Sequence, residues 1–228
     1  MSWARVSSHI ITAMDGIAWL LNLRGEDVDY NPVFIAYAAV TASEAVLFVD
    51  ESKLTTEAKR DLAGIVQIRE YASIESFLQD PGQSGETVWL DEGTTNRWIS
   101  DLVGDRGKQI ERSPVTEFKA IKNAIELTGF RRAHTIDGVA MTRFLKWLKE
   151  TVGNEPVTEL SAARRLLEFR SEGEGFVGAS FPTISGYGAH RAIVHYSVTE
   201  DSDIEIGQDN LYLVDSGGQY SFGTTDIT

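Results

Sequence analysis

A chain of 228 residues allows one large domain or two small ones at about 100–200 residues each, and two are expected here. Acidic residues outnumber basic ones 34 to 21, and the resulting formal charge of −13 repels phosphate backbones and anionic lipid surfaces, arguing against nucleic acid and membrane as partners. Cysteine is absent, which removes disulfides, thiolate ligands and a thiol nucleophile, and no run approaches the roughly 20 apolar residues of a membrane span, so the expected location is cytoplasmic.

Residues 9–12 read as a short strand and residues 14–23 as a helix, with Asp15 as its cap and Gly25 past its end. Two apolar runs, 33–40 and 45–49, follow Pro32 and predict a mostly buried β-hairpin. Strands at 65–68 and 87–90 then alternate with helices at 57–62, 74–78 and 96–103, an α/β pattern punctuated by a loop at 80–85. Arg112-Ser113-Pro114 marks a boundary, so the first domain is assigned to residues 1–112 and the second to 113–228.

The second half begins with helical periodicity. Ile121, Ala124, Ile125 and Thr128, then Val139, Ala140, Phe144, Trp147 and Leu148, follow three-and-four spacing and are expected in the core. A third helix follows Thr158-Glu159 and ends at Gly173. Strands are expected at 176–184, 192–196, 209–214 and from 224 onward.

His195, Asp215 and Asp226 stand on or beside these last strands. If the turn is centred between Tyr220 and Ser221, the two aspartates face each other across a hairpin at ~5 Å, and a divalent cation converts their repulsion into coordination. If the turn centres on Phe222-Gly223 instead, Asp226 faces Gln219. His9, His134 and His190 have no partners at ligand spacing and read as surface or packing residues.

The stretch Asp215-Ser-Gly-Gly-Gln-Tyr followed by Gly223-Thr-Thr-Asp226-Ile-Thr resembles the signature of Xaa-Pro aminopeptidases, the aminopeptidase P branch of the pita-bread metallopeptidases. Residues 17–25, Tyr30-Asn31-Pro32-Val33-Phe34, Glu168-Phe169-Arg170, residues 180–185 and Ala192-Ile193-Val194-His195-Tyr196 are similar to that family in the same order. The resemblance implies an α/β (α+β) chain, a creatinase-type N-terminal domain followed by the first half of a pita-bread catalytic domain. It further implies a dinuclear enzyme, with manganese as the metal, that removes the residue preceding proline from peptides. Asp215 would chelate one ion, Asp226 would bridge two, and His195 would hydrogen-bond the peptide or assist proton movement.

The resemblance also implies a further histidine and two glutamates that residues 1–228 do not include. The chain by itself is therefore expected to be an inactive fragment, prone to self-association or homodimer formation through an exposed half-domain. The alternative is a non-catalytic folding, dimerisation or partner-binding module derived from that family. Asp215-Ser216-Gly217-Gly218 is also similar to the nucleophile segment of trypsin-like serine proteases. That family is all-β and usually cystine-linked, and no glycine precedes Asp215. Gly186-Tyr187-Gly188 lacks the lysine and strand-to-helix context of a phosphate loop.

Overall fold

The computed structural model describes residues 6–104 and 107–228. The chain divides into two compact units, Met1–Val28 with Pro32–Ile121, and Asp29–Asn31 with Lys122–Thr228.

In the first unit, β1 (Ser8–Ile11) leads into α1 (Met14–Leu20). Asp15 does not cap this helix. The N-cap is Ala13, without a side-chain bond, and Asp15 lies in the first turn and pairs with Lys119. The helix stops early because Asn22 takes a left-handed backbone, φ 50°. The hairpin forms from β2 (Ala36–Thr41) and β3 (Ala45–Val49), followed by α2 (Thr56–Leu62), β4 (Gln67–Arg69) and α3 (Ile74–Gln79). The expected loop at 80–85 contains one helical turn, α4 (Pro81–Ser84), capped by Asp80 and ended by Gly85 at φ 82°. Then come β5 (Thr87–Leu90), α5 (Arg97–Val103) capped by Asn96, β6 (Gly107–Ile110) and α6 (Pro114–Ala120) capped by Ser113.

The six strands form one mixed sheet in the order β4-β3-β2-β1-β5-β6. Period-two alternation gives it two buried faces. Tyr37, Ala39, Val46 and Phe48 pack with Phe77, Leu78, Ile99 and Val103 of α3 and α5. Ala36, Ala38, Leu47 and Val49 face the other way, onto Ile17, Ala18, Leu62 and Val115 of α1, α2 and α6. A closed polar cluster joins β1, β5 and the start of α6. The His9 Nδ1 stands 3.2 Å from the Trp89 carbonyl and its Nε2 2.8 Å from Ser113 Oγ, while Asp91 accepts from the Ser113 and Gly93 amides.

The second unit starts with a correction. Residues 124–151 form a single 28-residue helix, α7 (Ala124–Thr151), where the spacing suggested two. Ala140 and Phe144 are buried as expected, but Ile121 just before the helix, and Ile125 and Val139 on it, are exposed. The helix opens with a capping box between Asn123 and Glu126. The next helix, α8 (Glu159–Ser171), opens with another, formed by Thr158 and Ser161. The expected strand at 176–184 is two strands, β7 (Phe176–Ala179) and β8 (Ile184–Tyr187), in different sheets. β9 (Tyr212–Asp215) pairs antiparallel with β8, and β10 (Gly218–Tyr220) lies between β7 and β11 (Gly223–Thr224). Buried residues of α7, α8 and β8, among them Phe144, Leu166, Phe169 and Tyr187, form the core of this unit.

A candidate metal-binding hairpin

The C-terminal hairpin is built around a two-residue turn. Tyr220 pairs with Gly223, Gln219 with Thr224, and a bridge joins Ser216 to Ile227. The turn is therefore Ser221-Phe222, between the two alternatives that the sequence allowed. The same register sets Gly217 opposite Asp226 and Asp215 opposite Thr228, so the two aspartates are diagonal neighbours on one face, about 7 Å apart at the backbone. They are not directly opposed, and Asp226 does not face Gln219.

Alternation along the hairpin separates two environments. Ser216, Thr225 and Tyr220 are buried on the packed face. Asp215, Gln219, Thr224 and Asp226 share the other, where Thr224 Oγ1 donates to Gln219 Oε1 at 2.6 Å. Gly217 is required by a close approach, because a Cβ there would collide with the Thr225 carbonyl oxygen and the Ser180 hydroxyl. Gly129 of α7 has the same role beneath the turn, against the Phe222 carbonyl.

The packed face is anchored by a buried triad. Arg170 of α8 donates from Nε to Asp137 Oδ1 at 2.6 Å and from Nη2 to Oδ2 at 3.1 Å, and the Tyr220 hydroxyl donates to the same Oδ1 at 2.9 Å. Burial, together with the bond to Asp137, raises the pKa of the Tyr220 hydroxyl well above its ordinary value. The opposite condition holds at Asp215, whose Oδ1 is buried without a hydrogen-bond partner. A buried carboxylate oxygen left unpaired is costly unless a cation satisfies it. The donor set on this face, one orphaned carboxylate oxygen and one exposed carboxylate, fits a hard divalent cation. No cluster of three or more His, Cys, Asp or Glu side chains able to hold a metal occurs among the described residues.

His195 does not lie on a strand. The expected strand at 192–196 is absent, and the segment consists of the end of a 3-10 turn (Gly188–Ala192) and a bend. His195 is exposed there with φ 54°, a left-handed backbone that is rare for a residue with a side chain. The bend is held from beneath. The fully buried Glu159 carboxylate accepts from the Tyr187 amide at 2.6 Å and the Tyr196 hydroxyl at 3.0 Å, and His190 Nδ1 stands 3.0 Å from both its oxygens. Both ends of the segment are thus fixed to the start of α8, and His190 has a partner that its sequence spacing did not reveal.

A second left-handed residue borders the hairpin. Tyr30, in the Asp29–Asn31 turn of this unit, has φ 62° and exposes 46% of its surface. Its carbonyl accepts from Gln219 Nε2 at 3.0 Å. A bulky side chain in this conformation costs about 1–2 kcal/mol relative to glycine. Gln219 could have been found from its two-residue spacing to Gly217 and Asp215; nothing in the sequence announces Tyr30's backbone. Ser216, the rival nucleophile, is fully buried on the packed face, its Oγ without a partner, which leaves it neither accessible nor activated by a histidine.

Residues 1–126 match the creatinase/prolidase N-terminal domain and residues 128–228 match metallopeptidase family M24. A probable Xaa-Pro aminopeptidase P from Pyricularia oryzae is 42% identical over 98% of this chain and 39% of its own length, and one from Laccaria bicolor is 39% identical over 100% and 36%. The chain thus spans little more than a third of these relatives. Among solved structures, the X-prolyl aminopeptidase of Caenorhabditis elegans, a cytosolic enzyme with a di-nuclear active site, superposes with a TM-score of 0.94 at 31% identity, covering 99% of this chain and 38% of that one. An X-Pro aminopeptidase from Thermotoga maritima, at 21% identity and a TM-score of 0.74, shares the fold. The chain therefore belongs to the creatinase/prolidase family of metallopeptidases, in the aminopeptidase P branch, and joins a creatinase-type N-terminal domain to part of a pita-bread M24 domain.

Proposed function

We propose that these residues serve an Xaa-Pro aminopeptidase, which hydrolyses the bond between a peptide's first residue and a proline in second place. The observation that carries this reading is the unpartnered Asp215 Oδ1, on the same hairpin face as Asp226. Asp215 and Asp226 would hold divalent metal, and manganese suits their hard oxygens. Such ions, when bound, supply a hydroxide nucleophile and polarise the scissile carbonyl. His195 contributes the imidazole that hydrogen-bonds the peptide or moves a proton, and the Glu159 clamp keeps it at the tip of its bend.

Two carboxylates do not complete the shell of about six or more oxygens that hard cations take. The 228 residues on their own are therefore expected to turn over no substrate. The cytosolic Caenorhabditis elegans enzyme supports a cytoplasmic location, and no helix among the described residues is long and apolar enough to cross a membrane. Self-association through exposed apolar residues such as Val177 and Leu211 belongs to the same proposal.

The test is release of the N-terminal residue from an Xaa-Pro-Pro peptide by the full-length protein, with and without manganese. Asp226→Asn is expected to abolish metal-dependent release. His195→Ala should lower kcat by roughly a hundredfold while metal content stays unchanged. Full activity in either variant would sink the assignment.

A further inference from the structure

We propose that Tyr30 is a substrate-contacting residue at the rim of the candidate metal face, where its ring contributes affinity for the proline-containing peptide. The inference rests on the aminopeptidase reading above and extends it to a turn far from the metal motif in sequence. Three observations carry it. The Asp29–Asn31 turn belongs to the same compact unit as the hairpin. Its Tyr30 carbonyl is bound by Gln219, whose side chain lies on the face shared by Asp215 and Asp226 and is itself held by Thr224. Tyr30 also combines a left-handed backbone with a half-exposed aromatic ring.

The last point decides between a structural and a functional role. The hydrogen bond to Gln219 uses only the backbone of residue 30, and glycine or asparagine would present the same carbonyl without the strain of a tyrosine at φ 62°. A strained backbone carrying a half-exposed ring is explained if the face of that ring is used, and an aromatic face beside a peptide site suits the flat, apolar ring of a prolyl residue. Gln219 then has the role of a positioning residue, fixing the turn relative to the hairpin.

The experiment compares wild type, Tyr30→Gly and Tyr30→Phe in the full-length protein. The dissociation constant for an Ala-Pro-Pro peptide is read by isothermal titration calorimetry on the metal-free protein, alongside Tm and steady-state kinetics. Tyr30→Gly is expected to hold or raise Tm, because the strain is relieved, yet to weaken peptide binding by about tenfold, with the loss in KM and not in kcat. Tyr30→Phe should bind like wild type. Peptide binding by Tyr30→Gly equal to wild type would overturn this inference and leave the aminopeptidase reading intact. Failure of the wild type to bind or cleave the peptide would overturn both. Should Tyr30→Gly not fold, Tyr30→Asn, which also tolerates the left-handed backbone, is judged by the same outcomes.

Discussion

Asp137 and Asp215 both belong to the second unit and both have oxygens withdrawn from water, yet their surroundings differ in kind. Asp137 accepts two bonds from Arg170 and a third from Tyr220, leaving its carboxylate satisfied within the protein. Asp215 stands a few residues from Tyr220 on the other face of the same hairpin, with Oδ1 buried and unpartnered. Residue type and burial do not distinguish a structural carboxylate such as Asp137 from a candidate ligand such as Asp215. What distinguishes them is whether the fold supplies the counter-charge or leaves it to something outside.

The comparison breaks most visibly at the closed site. Arg170→Met strands a buried Asp137 carboxylate and is expected to cost about 3–5 kcal/mol in urea denaturation, whereas Asp137→Leu combined with Arg170→Met should recover most of that loss. A cost below about 1 kcal/mol for the single change would mean that the triad is not what holds the hairpin to α7 and α8.

The closed cluster of the first unit offers a smaller, pH-dependent effect. Burial lowers the His9 pKa from its ordinary value of 6.5. As the Trp89 carbonyl can only accept, Nδ1 carries the proton and neutral Nε2 accepts from Ser113. With the folded pKa below the unfolded one, the unfolded chain takes up a proton first. The contribution is complete above pH 6.5 and is lost as pH falls below it towards the folded value, at about 1.4 kcal/mol per unit of difference. Thermal unfolding between pH 8 and pH 5 should show this decline, and His9→Asn should flatten it. An unchanged slope in the variant would remove His9 as the cause.

At the open site the smallest stability change is expected. Asp215→Ala removes a buried oxygen with no protein partner, so without divalent metal it should leave stability unchanged or raise it, while in the full-length protein it is expected to abolish the rise in Tm with manganese that the proposed metal role predicts for the wild type. A loss of several kcal/mol in metal-free buffer would return Asp215 to the structural class.

Much of the first unit could be read from its residues, because buried strands such as 45–49 and 87–90 are short apolar runs rich in β-branched and aromatic residues between turn signals. β6 was not, since Gly107–Ile110 is a short edge strand with one apolar side chain, and that one is exposed. The 192–196 segment misled for the opposite reason. Ala-Ile-Val-His-Tyr has strand propensity, but Val194 is exposed and the Tyr196 hydroxyl is bound to Glu159, contacts 37 residues apart that no local pattern contains. At the hairpin the pair of aspartates was evident, but their alignment depended on a turn one position away from either alternative considered. Tyr30 and Gln219 came together only through tertiary structure.

The register of that hairpin also determines which length changes the segment can absorb. Side chains alternate at every position, so a residue inserted or deleted within either strand between Asp215 and the turn, or between the turn and Asp226, carries one aspartate over to the face packed by Ser216, Thr225 and Tyr220. The Ser221-Phe222 turn lies outside that parity, but the close approach of Phe222 to Gly129 limits its length as well. Descendants of this sequence can therefore drift at exposed side chains of the hairpin, but a frame-preserving codon gained or lost within the strands would remove the candidate site at once.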